Sequence, residues 1–225
     1  MNLKQQEKLF KELLDKHFLP KGFIYFHEYQ NTNYRKFNDE ITLQNTLYAT
    51  SSGWHSFVNE ISFKKIEKII YEIGLPNIDF STYSKNDLTC TIRDNEFDIK
   101  FPTKGIHPIE TEADCIEYCQ RIVNYMKNEG KQFIEKYSYL PNVLSEMDRL
   151  ESEGKYWNEI LTGMAEHRFR GLIISKLCND KRFFVKQEML DAKFSTIPLL
   201  VNNGWLPYYE KLKERLKTVE PIYNI

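Results

Sequence analysis

The sequence predicts an α+β fold, a mostly antiparallel sheet with helices packed on one face, followed by a C-terminal helical part. Three observations lead there. The opening segment carries apolar residues at helical spacing, residues 23–101 alternate with a period of two and are rich in β-branched and aromatic side chains, and after Pro102 the strand signal stops.

The elements follow in order. Leu3, Phe10, Leu13, Leu14 and Phe18 make one face of an amphipathic helix, which Pro20 and Gly22 end. Strands are expected at Phe23–Tyr29, Glu40–Tyr48, His55–Phe63, Ile78–Tyr83 and Leu88–Phe101, with a turn at Asp94-Asn95. A short helix from Lys64 to Ile73 stops at Gly74, and Tyr83–Asp87 reads as a loop between antiparallel strands. From Thr111 a helix runs toward Tyr137, and Leu140-Pro141-Asn142 is a break. Helices are then expected at Val143–Ser152, Tyr156–Cys178, Arg182–Ala192, Pro198–Asn203 and Pro207–Lys217, the two prolines sitting where a first turn tolerates them. This organisation divides the chain into a sheet domain, 1–140, and a helical domain or extension, 141–225.

Composition narrows the function classes. The 225 residues hold 31 Lys+Arg, 32 Asp+Glu and 14% aromatic residues, the reverse of a disordered chain. Charge interrupts the apolar residues of the N-terminal segment and no long apolar run exists, so neither a signal peptide nor a membrane span is expected; the reading is a cytoplasmic protein. Balanced charge argues against a nucleic-acid partner bound through its phosphates.

Cys90, Cys115, Cys119 and Cys178 are expected to be reduced thiols. Cys115 and Cys119 share a helical face below His107, but three ligands without a tight Cys-x-x-Cys turn make a poor zinc site, and core packing is the preferred account. No metal and no cofactor is expected. His17, His27, His55, His107 and His167 are scattered. The densest polar cluster is Glu166-His167-Arg168-Phe169-Arg170, where Glu166 and Arg170 stand at the spacing of a helix salt bridge. Alternatively, Arg168 and Arg170 donate to a carboxylate or phosphate, or join Phe169 and Trp157 in an interface.

One catalytic pattern needs weighing. If Glu96-Phe97-Asp98-Ile99-Lys100 is a strand, Glu96, Asp98 and Lys100 share a face, as in Mg²⁺-dependent nucleases, with Asp79 or Asp87 as the upstream acid. Acid-x-Lys recurs by chance in charged sequences, and an exposed sheet face carries such residues anyway. No phosphate-binding glycine loop and no nucleophile elbow is present.

Aromatic residues concentrate between Phe23 and Phe57, including Tyr34, Tyr48 and Trp54. Leu19-Pro20-Lys21-Gly22-Phe23, the Tyr34–Phe37 aromatics leading into Glu40-Ile41-Thr42-Leu43-Gln44, and Phe57-Val58-Asn59-Glu60-Ile61-Ser62 together resemble bacterial domain-of-unknown-function family four-three-zero-four. Arg170–Leu177 resembles a helix of its longer members. The resemblance implies a compact α+β protein without established enzyme activity, similar in some members to immunity proteins of toxin systems, and it carries over no catalytic residue. The expectation is a non-enzymatic bacterial cytoplasmic interaction protein that binds a protein partner such as a toxin. Interaction candidates are Tyr34, Trp54, Glu112, Asp114, Arg168 and Arg170; the acidic run from Glu110 to Glu117 suits a helix N-terminus or could mimic phosphate toward a basic nuclease. The alternatives are a Mg²⁺-dependent nuclease and a small-ligand-binding protein with a pocket between sheet and helices.

Overall fold

A computed structural model describes residues 1–28, 31–49, 55–82, 89–94, 96–100 and 109–225. In chain order these form α1 (Leu3–Phe18), β1 (Ile24–Glu28), β2 (Asn31–Phe37), β3 (Ile41–Ala49), β4 (His55–Phe63), α2 (Lys64–Ile73), β5 (Ile92–Asp94) and α3 (Glu96–Lys100). Helices follow: α4 (Glu112–Lys127), α5 (Glu129–Tyr137), α6 (Leu140–Ser152), α7 (Glu166–Leu177), α8 (Phe183–Thr196), α9 (Pro198–Asn202) and α10 (Leu206–Leu216). The five strands form one antiparallel sheet in the order β1-β2-β3-β4-β5, so the fold is α+β with C-terminal helices. No helix among the described residues is long and apolar enough to cross a membrane.

The chain forms two compact units, Met1–Ile61 with Arg93–Lys136, and Ser62–Ile92 with Tyr137–Ile225. In the first, an Asn2–Gln5 capping box starts α1, and Gly22, in the left-handed region at φ 81°, turns the chain into β1. The register Tyr25↔Tyr34 and Tyr34↔Asn45, with Thr32↔Leu47, sets Tyr34 and Leu47 on one face of the sheet. That face meets Phe10, Leu14 and Phe18 of α1 and Cys115, Tyr118, Cys119 and Ile122 of α4 in one apolar core. On the other face a polar ladder crosses the strands: Arg35 donates to Gln44 (2.5 Å), Gln44 to Glu60 (3.0 Å) and Arg93 Nη2 to Glu60 (2.6 Å). Glu60 is buried, and these donors satisfy its two oxygens.

The second unit centres on α7, in which Phe169, Leu172, Ile173, Ile174 and Leu177 are all buried. On α2, Ile66, Ile69, Ile70 and Ile73 form the buried stripe, yet Glu67 lies among them fully buried. Its carboxylate receives Arg170 Nε and Nη2 of α7, both at 2.8 Å, and Thr91 Oγ1 at 2.6 Å, while Thr89 Oγ1 donates as well. Arg170 Nη1 donates to the Thr162 carbonyl at 2.8 Å. This buried, bidentate pair draws residues 62–92 into the helical unit, although the sequence places them in the sheet domain.

Other departures from the sequence reading have local causes. Residues 31–37, which lie outside the strands expected from the sequence, form β2. Ile78 makes a single bridge to Leu75 and Phe80–Thr82 is a 3-10 turn, where a strand was expected. Of the expected Leu88–Phe101 strand, the described residues form β5 and then α3, where the Asp94 carboxylate accepts from the Glu96 N–H (3.0 Å) at the start of the helix. Gly163 at φ 96° prevents one helix from spanning Tyr156–Cys178.

The buried pair yields a first prediction. Glu67→Gln or Arg170→Met alone leaves a buried charge or donor without its partner and costs about 3–5 kcal/mol in urea denaturation, while the double variant Glu67→Leu/Arg170→Met loses much less than the two singles combined.

Candidate functional site

The helical unit contains a cleft of about 330 Å³ lined by the end of α6, the 154–157 connection, the first turn of α7 and one side of α8. Gly154, at φ 71°, turns the chain after α6 and delivers Tyr156 and Trp157. Trp157 is buried against α7, and this needs the glycine at 171: a Cβ there would lie 2.3 Å from Trp157 Cε3. Tyr156 stays 64% exposed at the mouth, with Lys193 Nζ of α8 5.7 Å from its ring centre.

Four cations line this cleft, and they divide into two kinds. Arg182 is paired with Asp148 (3.2 Å) and Glu151 Oε2 (2.8 Å), and Lys155 with Glu153 (3.0 Å). Arg168 reaches only the Met164 carbonyl, at 3.4 Å, and neither Arg168 nor Lys193 has a carboxylate within 4.0 Å among the described residues. Both are half-buried. Burial pulls each pKa down, and for Lys193 the neighbouring Arg168 charge adds to it, while the Glu151 carboxylate opposes it for Lys193 and Tyr156 opposes it for Arg168. Two further groups in the wall are buried without a hydrogen-bond partner, the donor Trp157 Nε1 and the acceptor Glu151 Oε1. His167, also lining the cleft, has Nδ1 3.0 Å from the Gly163 carbonyl; burial, then the Arg168 charge, lowers its pKa to about 4, against the smaller opposing effects of that carbonyl and Glu166. The imidazole is therefore neutral at pH 7. The arrangement is a half-desolvated, net-positive recess with an aromatic wall, in which an anion is attracted more strongly than on an open surface.

The structure distributes the sequence-derived candidates widely. Arg168 and Trp157 belong to the cleft. Arg170, two residues on, is buried and committed to Glu67, so it is no surface donor, and Glu166 accepts from the Ala165 N–H (3.0 Å) instead of pairing with it. Tyr34 is a core residue, 1% exposed, stacked on Phe18 at 4.6 Å and donating to Asp15 at 2.8 Å, which removes it from any contact surface. Glu112 and Asp114 are in the first turn of α4, where Asp114 completes a capping box with Thr111. Trp54, His107 and Asp87 lie outside the described residues. Because 96–100 is helical, positions 98 and 100 stand about 200° apart around an axis instead of sharing a strand face, and Lys100 pairs with Glu129. Cys115, Cys119 and Cys178 are buried with raised pKa values, Cys115 to about 11, and no group able to hold a metal ion occurs among the described residues.

Sequence reasoning missed Lys193, Tyr156 and Glu151. Lys193 looks like an ordinary cation in the last turn of a helix, and helix packing alone brings these residues together. Comparison with protein-family models, with curated proteins and with solved structures finds no match to this chain.

Two predictions follow from the geometry. Gly171→Ala pushes the indole out of its seat, costs about 1–3 kcal/mol in denaturant unfolding, and shifts the tryptophan fluorescence of the folded protein to the red. Between pH 6.5 and 4 an unfolded His167 binds a proton that the folded one does not, so stability falls as pH drops through that window. A melting-temperature series over that range is shallower for His167→Gln than for the wild type.

Proposed function

We propose that the protein is a non-catalytic binding protein whose helical unit holds an anionic ligand in the Arg168–Lys193 cleft. The supporting observation is the pair itself: two half-buried cations without a carboxylate line one recess, beside Arg182 and Lys155, whose charges are already balanced. Desolvating a cation is unfavourable unless an opposite charge answers it, and a bound anion supplies that charge. Among the functions raised by the sequence, small-ligand binding is the one this geometry favours, with the pocket inside the helical unit.

The interaction reading keeps support from the rim. Tyr156 is 64% and nearby Met164 71% exposed, and Tyr, Met and Arg are the residues that anchor protein interfaces. In that reading a bacterial cytoplasmic partner, such as a toxin to be neutralised, presents an acidic side chain to the cleft. Recovery of the protein without a partner from its native organism, together with harmless deletion of its gene, counts against it.

The anion site is tested by thermal shift with inorganic phosphate, sulfate and citrate at 10 mM, about a hundred times a dissociation constant of ~0.1 mM. Stabilisation of several degrees is expected, with more than half of it lost in Arg168→Ala and in Lys193→Ala. Flat responses to all three anions, or responses unchanged in both variants, overturn the proposal.

A further inference from the structure

We infer that the ligand of this cleft is a monocarboxylate with an apolar body, an inference that rests on reading the cleft as an anion site. The distribution of charge around the recess is the first argument. Lys155 is paired with Glu153 at 3.0 Å, and His167 lines the cleft as a neutral imidazole. Arg182, in the lining, and the buried Lys186 share three carboxylates: Asp148 serves both, Glu151 pairs with Arg182 at 2.8 Å and Asp180 with Lys186 at 2.7 Å. Two cations against three carboxylates leave one negative charge over, and Glu151, from that group, acts favourably on the charged Lys193. Among the described residues no carboxylate does this for Arg168, whose guanidinium reaches only the Met164 carbonyl at 3.4 Å. The unanswered charge of the recess is therefore a single positive one, on a guanidinium whose forked N–H groups match the two oxygens of a carboxylate. A second negative charge on the ligand has no free cation to meet and is repelled by Glu151.

The second argument is the surface of the recess. Tyr156, Trp157, Met189 and Leu190 line it together with the cations, so most of what a ligand meets is apolar. A small anion that is charged all round leaves this surface facing water, whereas an aryl or alkyl body attached to the carboxylate covers it. Size agrees: about 330 Å³ is at the lower end for small-molecule sites, enough for one compact body. Two kinds of body share this chemistry, a ring and a short chain. The Tyr156 ring, 64% exposed at the mouth with Lys193 Nζ 5.7 Å from its centre, separates them, because an aromatic acid stacks on it and an alkyl chain needs only the apolar wall.

Isothermal titration of the full chain with phenylacetate, octanoate, acetate and succinate tests the inference. Acetate keeps the carboxylate and lacks the body; succinate puts a second charge in the body's place. Phenylacetate, octanoate or both are expected to bind at least about tenfold tighter than acetate and succinate, a factor that burial of a group the size of a Phe or Leu side chain supplies. Arg168→Ala is expected to weaken the tighter ligand at least about tenfold, the loss of a hydrogen-bonded charge, and Lys193→Ala by a smaller factor, with thermal melts showing that both variants fold. Tighter phenylacetate, lost in Tyr156→Ala, selects the aromatic acid; tighter octanoate, indifferent to Tyr156→Ala, selects the aliphatic one. Acetate or succinate within tenfold of both apolar acids, or Lys193→Ala costing more than Arg168→Ala, overturns the inference and leaves the anion site standing. No binding of any probe, or binding indifferent to Arg168→Ala, overturns both.

Discussion

The helical unit depends on one buried interaction, the Glu67–Arg170 pair. A carboxylate at a fully buried position inside an apolar stripe is tolerated only when its lone pairs are used, and here two guanidinium N–H groups and two threonine hydroxyls use them. The remaining guanidinium nitrogen is held by the Thr162 carbonyl. Coulomb attraction and desolvation largely offset each other in such a pair, so its contribution lies in geometry more than in net stability. It fixes the rotation of α7. With Arg170 turned inward to α2, position 168 stands about 200° away around the helix axis, and this is the side on which Arg168 lines the cleft. Gly171, next in sequence, gives the flat backbone seat on which Trp157 forms the cleft wall.

What was legible in the sequence was what periodicity encodes. The stripe of α1, the isoleucines of α2 with their Gly74 stop, and strands β3 and β4 are set by local alternation and punctuation, and they occur where the pattern places them. The misreadings share a different cause, a single side chain or glycine overriding propensity. Residues 96–100 have strand-like composition, but they form a helix, at whose start the Asp94 carboxylate accepts from the Glu96 N–H. Residues 156–165 have helical spacing, but Gly163 adopts a conformation that no helix contains.

Long-range charge pairing was not legible at all. Glu166 stands at the ideal local spacing from Arg170, and the arginine nonetheless pairs with Glu67, 103 residues away. The local pair would have been an exposed one worth a few tenths of a kcal/mol, whereas an arginine already buried in α7 has to be matched by a buried acid. The same limit hid half of the cleft. Arg168 stood out because arginines crowd around it in the sequence. Lys193, on another helix, has no sequence feature that separates it from the cations that ordinarily close helices.

The contrast among the unit's own cations is the strongest physical argument that the cleft has a ligand. Arg170 is buried and answered by one carboxylate at two points; Lys186, 1% exposed, is answered by Asp148 at 2.6 Å and Asp180 at 2.7 Å. Asp180 in turn takes the Ser175 hydroxyl at 2.6 Å. At these two positions burial of a cation is accompanied by carboxylates at hydrogen-bond distance. Arg168 and Lys193 differ: neither has a carboxylate within 4.0 Å among the described residues, burial lowers both pKa values, and the Arg168 charge lowers that of Lys193 further, against an opposing effect of Glu151. If they served only the fold, a neutral residue at either position would relieve that repulsion, since neither makes an ion pair that the packing needs. Two half-buried cations without a carboxylate among the described residues make a recess that suits the anionic ligand proposed above.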